Sequence, residues 1–205
     1  IKLWAIAPCE SGEDPLGACQ ATLMGHHQPL TSLAFSPDGQ QLVSGSYDRT
    51  VKVWQAATWE CIHTFQKHTN LVMAVAFHPL RSLVVSGGED YTARLWDLAT
   101  GQCTKTFQGH SNSIYAIALP PPDRAATTHQ RLLLASGHED ETIKLWDLYL
   151  QAIPATQPFR SLRGHTGRVF SLAFTGDRQL LASGSSDRTI KFWNPHTGQC
   201  LHTLH

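Results

Sequence analysis

Val51-Lys52-Val53-Trp54 comes back along the chain as Ala93-Arg94-Leu95-Trp96, Ile143-Lys144-Leu145-Trp146 and Ile190-Lys191-Phe192-Trp193, and Ile1-Lys2-Leu3-Trp4 opens the sequence with a fifth copy. The successive tryptophans are 50, 42, 50 and 47 residues apart. A self-similar period of this size marks a repeat protein, in which one unit cannot bury its own apolar face and neighbours must stack to make a core. The period overrides the domain count that 205 residues would otherwise give.

Within a unit the pattern is that of short strands. Ile1 and Leu3 alternate against Lys2, and residues 5–18, punctuated by Pro8, Gly12, Pro15 and Gly17, read as a loop. From Cys19 onward each unit holds a strand such as Cys61–Phe65, a turn at a histidine, and a more apolar strand such as Leu71–Phe77. A turn of the kind Ser36-Pro37-Asp38-Gly39 follows, where Pro presets φ and Gly accepts a positive one. Strands such as Gln41–Gly45 and Thr50–Trp54 then flank a turn that contains Asp. Four short strands per unit and no sustained helical period define an all-β chain.

The hydrophobic fraction of 41% supplies a packed core. Lys+Arg and Asp+Glu are balanced at 16 each, so nothing draws the chain to phosphate backbones or anionic lipid, and neither a nucleic-acid nor a membrane partner is expected. No apolar run reaches the roughly 18 residues of a membrane span, and no signal-peptide pattern is present. Cys19, Cys61 and Cys103 each lie seven residues before a histidine, and Cys200 shares the Gly-Gln-Cys context of Cys103. Equivalent positions on successive units are too far apart for disulfide geometry, and no C-x-x-C pair exists for zinc. The expectation is small buried thiols in a reducing, cytoplasmic setting.

Four antiparallel strands at a period of about 40–45 residues, with Gly-His and Trp-Asp landmarks, resemble the WD-repeat β-propeller family. Gly25-His26, Gly109-His110 and Gly164-His165 carry the first landmark, and Trp96-Asp97 and Trp146-Asp147 the second. The chain departs at Lys67-His68, and Gln55, Asn194 and Ala5 stand where Asp would follow the tryptophan. In the strand order of that family, d–a–b–c, residues 1–205 form a single segment: a half blade at 1–23 and whole blades at 31–65, 72–107, 113–163 and 168–204. Propellers of this kind are usually seven-bladed, so the resemblance implies a piece of a larger ring. Both ends look cut from a longer array, since an open arc exposes strand edges. The Ser-Pro-Asp-Gly and Thr-Gly-Gln-Cys phrases look like the regular repeats of bacterial, notably cyanobacterial, WD proteins.

Each unit also carries His, Ser, Asp and Trp at fixed spacing. The sets are His26/Ser44/Asp48/Trp54, His68/Ser86/Asp90/Trp96, His110/Ser136/Asp140/Trp146 and His165/Ser183/Asp187/Trp193. Ser, His and Asp are the residue types of a nucleophilic triad, but a triad occurs once, in a cleft beside an oxyanion hole. A set that recurs with the structural period is structural. The resemblance implies a buried hydrogen-bond tetrad, in which Asp of the b–c turn meets the histidine of the d–a turn and the chain passes on to Ser and the Trp indole. No catalytic set is assigned. There is no P-loop and no G-x-S-x-G elbow. His138-Glu139-Asp140-Glu141-Thr142 starts like a zinc motif, but its second histidine is missing and it reads as a turn. No metal and no cofactor is expected.

In WD-repeat propellers the d–a and b–c turns ring one mouth of the central channel, where proteins and peptides are often held. The positions here that match flank the a-strand starts and precede the tetrad Asp: Tyr47, Leu71, Met73, Glu89, Tyr115, Glu139, Arg168 and Phe170, with Pro29, Thr31, Ser113 and Ser186 beside them. Aromatic, Met and Arg side chains are the types enriched in interface cores. On the opposite face the third a–b turn is eight residues longer than the others and runs from Pro120 to Arg131, and the connections from Trp4 to His26 and from Trp146 to His165 are also long. Such loops tolerate neutral insertion. The expected function is that of a non-enzymatic scaffold binding a protein or peptide on the propeller face. The alternative is the C-terminal sensor region of a multidomain signalling NTPase or kinase.

Overall fold

A computed structural model describes residues 1–4, 19–109, 112–121, 133–148 and 157–205. The loop expected at 5–18, most of the long third a–b turn and residues 149–156 lie outside the described residues. The described chain is all strand and turn. β1 (Lys2–Trp4) and β2 (Cys19–Thr22) pair as an antiparallel ribbon. Four antiparallel meanders follow. The first sheet is β3 (Leu30–Phe35), β4 (Gln41–Ser46), β5 (Val51–Gln55) and β6 (Cys61–Phe65). The second is β7 (Val72–Phe77), β8 (Leu83–Gly88), β9 (Ala93–Asp97) and β10 (Gln102–Phe107). The third is β11 (Ile114–Ala118), β12 (Leu133–His138), β13 (Ile143–Asp147) and β14 (Arg160–Leu162), and the fourth is β15 (Val169–Phe174), β16 (Leu181–Ser185), β17 (Ile190–Trp193) and β18 (Cys200–Leu204). These are propeller blades arranged as an open segment.

The core lies between blades. Val43, Val51, Val53 and Phe65 of the first blade pack against Val72, Val75, Phe77 and Trp96 of the second. Phe107 and Leu95 meet Ile114, Leu134 and Trp146 across the next interface, and Ile143, Leu145 and Leu162 meet Val169, Leu181 and Trp193 across the last. Each tryptophan thus lies against the preceding blade; Trp96 stacks on Phe65 at 4.7 Å between centroids and 15° between planes. Burying a side chain of this kind contributes about 1.5–3 kcal/mol. Middle strands are covered on both faces, which is why β12 is buried at every residue and its sequence lacks alternation. Blades approach closely because a glycine sits in each inner strand. A Cβ on Gly45 would lie 2.8 Å from Val72 Cγ1, and one on Gly137 2.8 Å from Val169 Cγ1.

Two departures from the repeat consensus have local explanations. Asp97 Oδ1 accepts the backbone N–H groups of Ala99 and Thr100 at 2.8 and 2.9 Å, and Asn194 Oδ1 accepts those of His196 and Thr197 at 2.8 and 3.0 Å. An amide oxygen caps this turn as a carboxylate does. At the Gly-His landmark, Gly25 and Gly164 have φ of 147° and 148°, and a Cβ on either would meet the tetrad tryptophan ring at 3.2 Å. Lys67 takes the same place without a positive φ.

The cysteines correct an expectation. Cys19, Cys61 and Cys200 are exposed and Cys103 is half-buried, all as free thiols. Cys61, Cys103 and Cys200 each face a tetrad tryptophan in register, as Cys61 does Trp54, and Cys19 faces Trp4, but on the outermost strand, which no further strand covers. There Cys61 Sγ donates to the His63 carbonyl at 3.3 Å, and a bulge skips Ile62.

Candidate functional site

The periodic His, Ser, Asp and Trp side chains form one hydrogen-bonded line in three of the blades. In the second, Trp96 Nε1–H donates to Ser86 Oγ at 2.8 Å, Ser86 Oγ lies 2.7 Å from His68 Nε2, and His68 Nδ1 lies 2.8 Å from Asp90 Oδ2. The first blade repeats this with Trp54, Ser44, His26 and Asp48 at 2.9, 2.7 and 2.8 Å, and the fourth with Trp193, Ser183, His165 and Asp187 at 2.8, 2.7 and 2.7 Å. A single proton on Nδ1 lets every group serve: Trp donates to Ser, Ser donates to Nε2, and Nδ1–H donates to the carboxylate. Asp90 Oδ2 also accepts the Thr69 N–H, and Oδ1 accepts the Thr92 N–H and hydroxyl. Burial pushes the Asp90 carboxyl up, but the bonds and the charge from His68 with those from Thr92 and Thr69 hold it well below the usual carboxylate range. Burial lowers His26, outweighing the opposing pull of Asp48.

These serines are not presented as nucleophiles. Ser44 and Ser86 are fully buried, Ser183 is almost so, and each hydroxyl is committed between an indole and an imidazole. A substrate carbonyl has no path to them.

In the third blade the described residues show part of the line and an added histidine. Trp146 Nε1–H donates to Ser136 Oγ at 3.0 Å, and among the described residues Ser136 also meets the imidazole of His138, whose Nε2 lies 2.8 Å away. His110 lies outside the described residues. Asp140 Oδ1 accepts the Thr142 N–H and hydroxyl at 3.2 and 2.6 Å. His138, read from the sequence as part of a turn, is the last residue of β12 and is fully buried; Ser46, Gly88 and Ser185 hold the matching places. Burial and the nearby Lys144 push its imidazole down to about 4. Among the described residues no three His, Cys, Asp or Glu side chains converge as a metal site.

A second periodic feature builds the rim. In every blade the residue before the tetrad Asp donates its backbone N–H to the residue just before strand a. Tyr47 bonds to Pro29 O, Glu89 to Leu71 O, Glu139 to Ser113 O and Ser186 to Arg168 O, at 2.9, 2.9, 3.1 and 2.9 Å. Strand a then bulges. The ladder passes from Leu30 to Ser32, Val72 to Ala74, Ile114 to Ala116 and Val169 to Ser171, leaving Thr31, Met73, Tyr115 and Phe170 outside the pairing. A bulge re-aims the side chain it carries.

From these positions the third and fourth blades bring four residues together. Tyr115 and Phe170 meet edge to face with centroids 5.2 Å apart, and Arg168 Nη2 lies 2.6 Å from Glu139 Oε1. Phe170 remains 50% exposed. Burial raises the Tyr115 hydroxyl's pKa, Glu139 and Glu89 push the same way, and Arg168 opposes them. Leu71 and Met73 are half-buried beside Glu89 on the second blade, and Tyr47 is exposed on the first. Two neighbours do not belong to an open surface. Ser113 is buried, and Thr31 Oγ1 lies within hydrogen-bonding distance of the Gly45 and Val72 carbonyls, a clasp between blades. The sequence carried no sign of the Tyr115–Phe170 contact, because it crosses a blade interface.

The family described as "WD40: WD domain, G-beta repeat" matches residues 17–55, 59–97, 101–147 and 156–194. Among curated proteins the chain is similar to Pre-mRNA-processing factor 19 of Oryza sativa subsp. japonica, 44% identical over 55 residues (25% of this chain, 10% of that protein). It is also similar to Vegetative incompatibility protein HET-E-1 of Podospora anserina, 51% identical over 41 residues (20% and 3%), and to Notchless protein homolog of Arabidopsis thaliana, 46% identical over 44 residues (22% and 9%). The matched stretches span a tenth or less of each of these relatives.

Proposed function

Because the chain belongs to the WD-repeat family, we propose that it is a non-enzymatic scaffold that holds a protein or peptide partner on the face where the d–a and b–c turns emerge. Proteins built from these repeats are typically interaction scaffolds, and the buried tetrads are framework. The observation that carries the reading is the Tyr115–Phe170 pair. It is a half-exposed aromatic anchor beside the Arg168–Glu139 ion pair, and it spans two blades. Interface energy concentrates in such a cluster of aromatic and Arg side chains with a polar surround. Glu139 is paired with Arg168, so Glu89 is what gives the patch an acidic flank, which favours a partner that presents a basic group. We place the protein in the cytoplasm, where thiols as open as Cys61 and Cys200 stay reduced.

The test is partner capture by the full chain, followed by affinity measurement with Phe170→Ala and Tyr115→Ala. Loss of an interface anchor costs about 2 kcal/mol or more, roughly 30-fold in Kd. Leu201→Ala, an exposed apolar residue on the outer strand, serves as the control. Equal affinity for all three variants would refute the placement.

A further inference from the structure

We propose that the pocket between the first and second blades is a site for a phosphoryl dianion, held by Arg49 and Lys52. The pocket has a volume of about 430 Å³. The b–c turn and strand β5 of the first blade supply Arg49 and Lys52, its d–a turn supplies His27, and the d–a turn of the second blade supplies Gln66. The site is independent of the Tyr115–Phe170 patch, which sits on other blades.

What matters is which lining groups are already spent. Asp48 is the carboxylate in the wall, and its two oxygens accept four bonds: from His26 Nδ1 at 2.8 Å, the His27 N–H at 3.1 Å, the Thr50 N–H at 3.0 Å and the Thr50 hydroxyl at 2.6 Å. His68, also in the wall, has both ring nitrogens committed to Asp90 and Ser86. The groups with capacity left are the Arg49 guanidinium, the Lys52 ammonium, the His27 ring and the Gln66 amide, and all can donate. Lys52 uses one of its three N–H bonds on Thr64 Oγ1 at 2.9 Å. Two cations against one saturated carboxylate leave the pocket positive.

The equivalent cations of the next two blades are differently engaged. Arg94 Nη2 is 3.5 Å from its own Asp90, and Lys144 Nζ is 3.9 Å from Asp140 and donates to the Gly109 carbonyl at 3.0 Å. Arg49 is exposed at φ 67°, and the same turn position holds Tyr91 and Glu141 in those blades, so the paired cations are not imposed by the turn. Asp48 already balances one of the two cations, so what sets a phosphate monoester apart from a carboxylate ligand here is chiefly its number of oxygens. A phosphate monoester brings two charges and three free oxygens, matches the fork of a guanidinium, and leaves its ester arm in the open mouth.

The experiment uses the full chain at pH 7.5 and low ionic strength, with phosphorus NMR line broadening as the readout. The probes are inorganic phosphate and capped phosphoserine, and acetate is the competitor. The expected result is broadening that falls about tenfold in Arg49→Ala/Lys52→Met and in the milder Arg49→Gln. It is unchanged in Arg188→Ala/Lys191→Met, which removes the same cation pair from the fourth blade. Thermal unfolding of each variant checks that it is folded. Tighter binding of capped phosphoserine assigns the phosphoryl group to a protein side chain, and equal binding assigns it to free phosphate; either supports the site. No broadening by either probe overturns the proposal. So does broadening that survives Arg49→Gln and the double substitution, an equal loss in the fourth-blade control, or displacement by acetate at equal concentration.

Discussion

Replacing Asp90 by Ala tests the tetrad as a stability device. The carboxylate is 3% exposed and its partner imidazole 1%, so water cannot take over the bond to His68 Nδ1. Thr69, by contrast, is exposed, and its N–H finds solvent. The Thr92 hydroxyl and N–H lose their acceptor, and the guanidinium of Arg94 loses a carboxylate 3.5 Å away. A stranded buried donor costs about 1–3 kcal/mol, and breaking a buried charge pair by removing one partner costs about 3–5. The expected loss is about 3–5 kcal/mol. Asp90→Asn, whose amide oxygen still accepts from His68, recovers about half of it. Met73→Ala, at a half-buried bulge outside the ladder, costs less than about 1 kcal/mol. Equilibrium urea unfolding of the full chain reads all three as shifts in midpoint at constant slope. Equal midpoints for Asp90→Ala and Met73→Ala would refute the reasoning.

Acid provides a second check. His78 is 1% exposed, and its Nδ1 accepts the backbone N–H groups of Leu80 and Arg81 at 3.0 and 2.9 Å; burial, with Arg81 beside it, pushes it down to about 4, as burial does His138. Unfolded imidazoles take up protons below about 6.5, whereas the folded ones wait until about 4, so the unfolded state binds more protons between the two. Stability is therefore complete above pH 6.5 and falls as the pH drops towards 4, by about 3 kcal/mol for each histidine. His78→Asn, which keeps an acceptor and cannot titrate, should flatten the slope of urea midpoint against pH; an unchanged slope would exclude His78 as a source. The thiols give a third. Under native conditions a thiol reagent with peptide mapping should modify Cys19, Cys61 and Cys200 ahead of half-buried Cys103; faster labelling of Cys103 would contradict the exposures.

The sequence displays its blades openly because one geometrical requirement recurs in each: a Trp whose indole reaches a Ser on the neighbouring strand, and a Gly on that same strand. What it hides follows from direction and neighbourhood. Cys61 occupies a fixed place in the repeat, as a core residue would, yet the strand that carries it is the outermost, and repetition says nothing about which strand is uncovered. His138 stood beside Glu139 and Asp140 like a fragment of a metal motif. Its side chain is aimed instead by the β12 ladder, which places it where Ser46 and Ser185 stand in other blades. His78 takes over a turn that elsewhere begins Ser36-Pro37-Asp38, and its ring nitrogen does there what the Asp38 carboxylate does in the first blade. The rim residues were legible as types and positions, but the pairing of Tyr115 with Phe170 depends on the angle between two blades.

The bulge at the head of each a strand separates two obligations that a β-strand usually imposes on the same residue. Val72, Ile114 and Val169 are buried completely and hold the blades together, while the next residue, left out of the ladder, is Met73, Tyr115 or Phe170. A change of identity at that place alters what the rim presents and leaves the packing beneath it untouched. The second, third and fourth blades therefore each carry one writable letter, whereas Thr31 of the first is tied into the blade interface, and substitutions at letters on blades that do not touch should combine additively. A propeller assembled this way can have the surface of that face rewritten one blade at a time without being refolded.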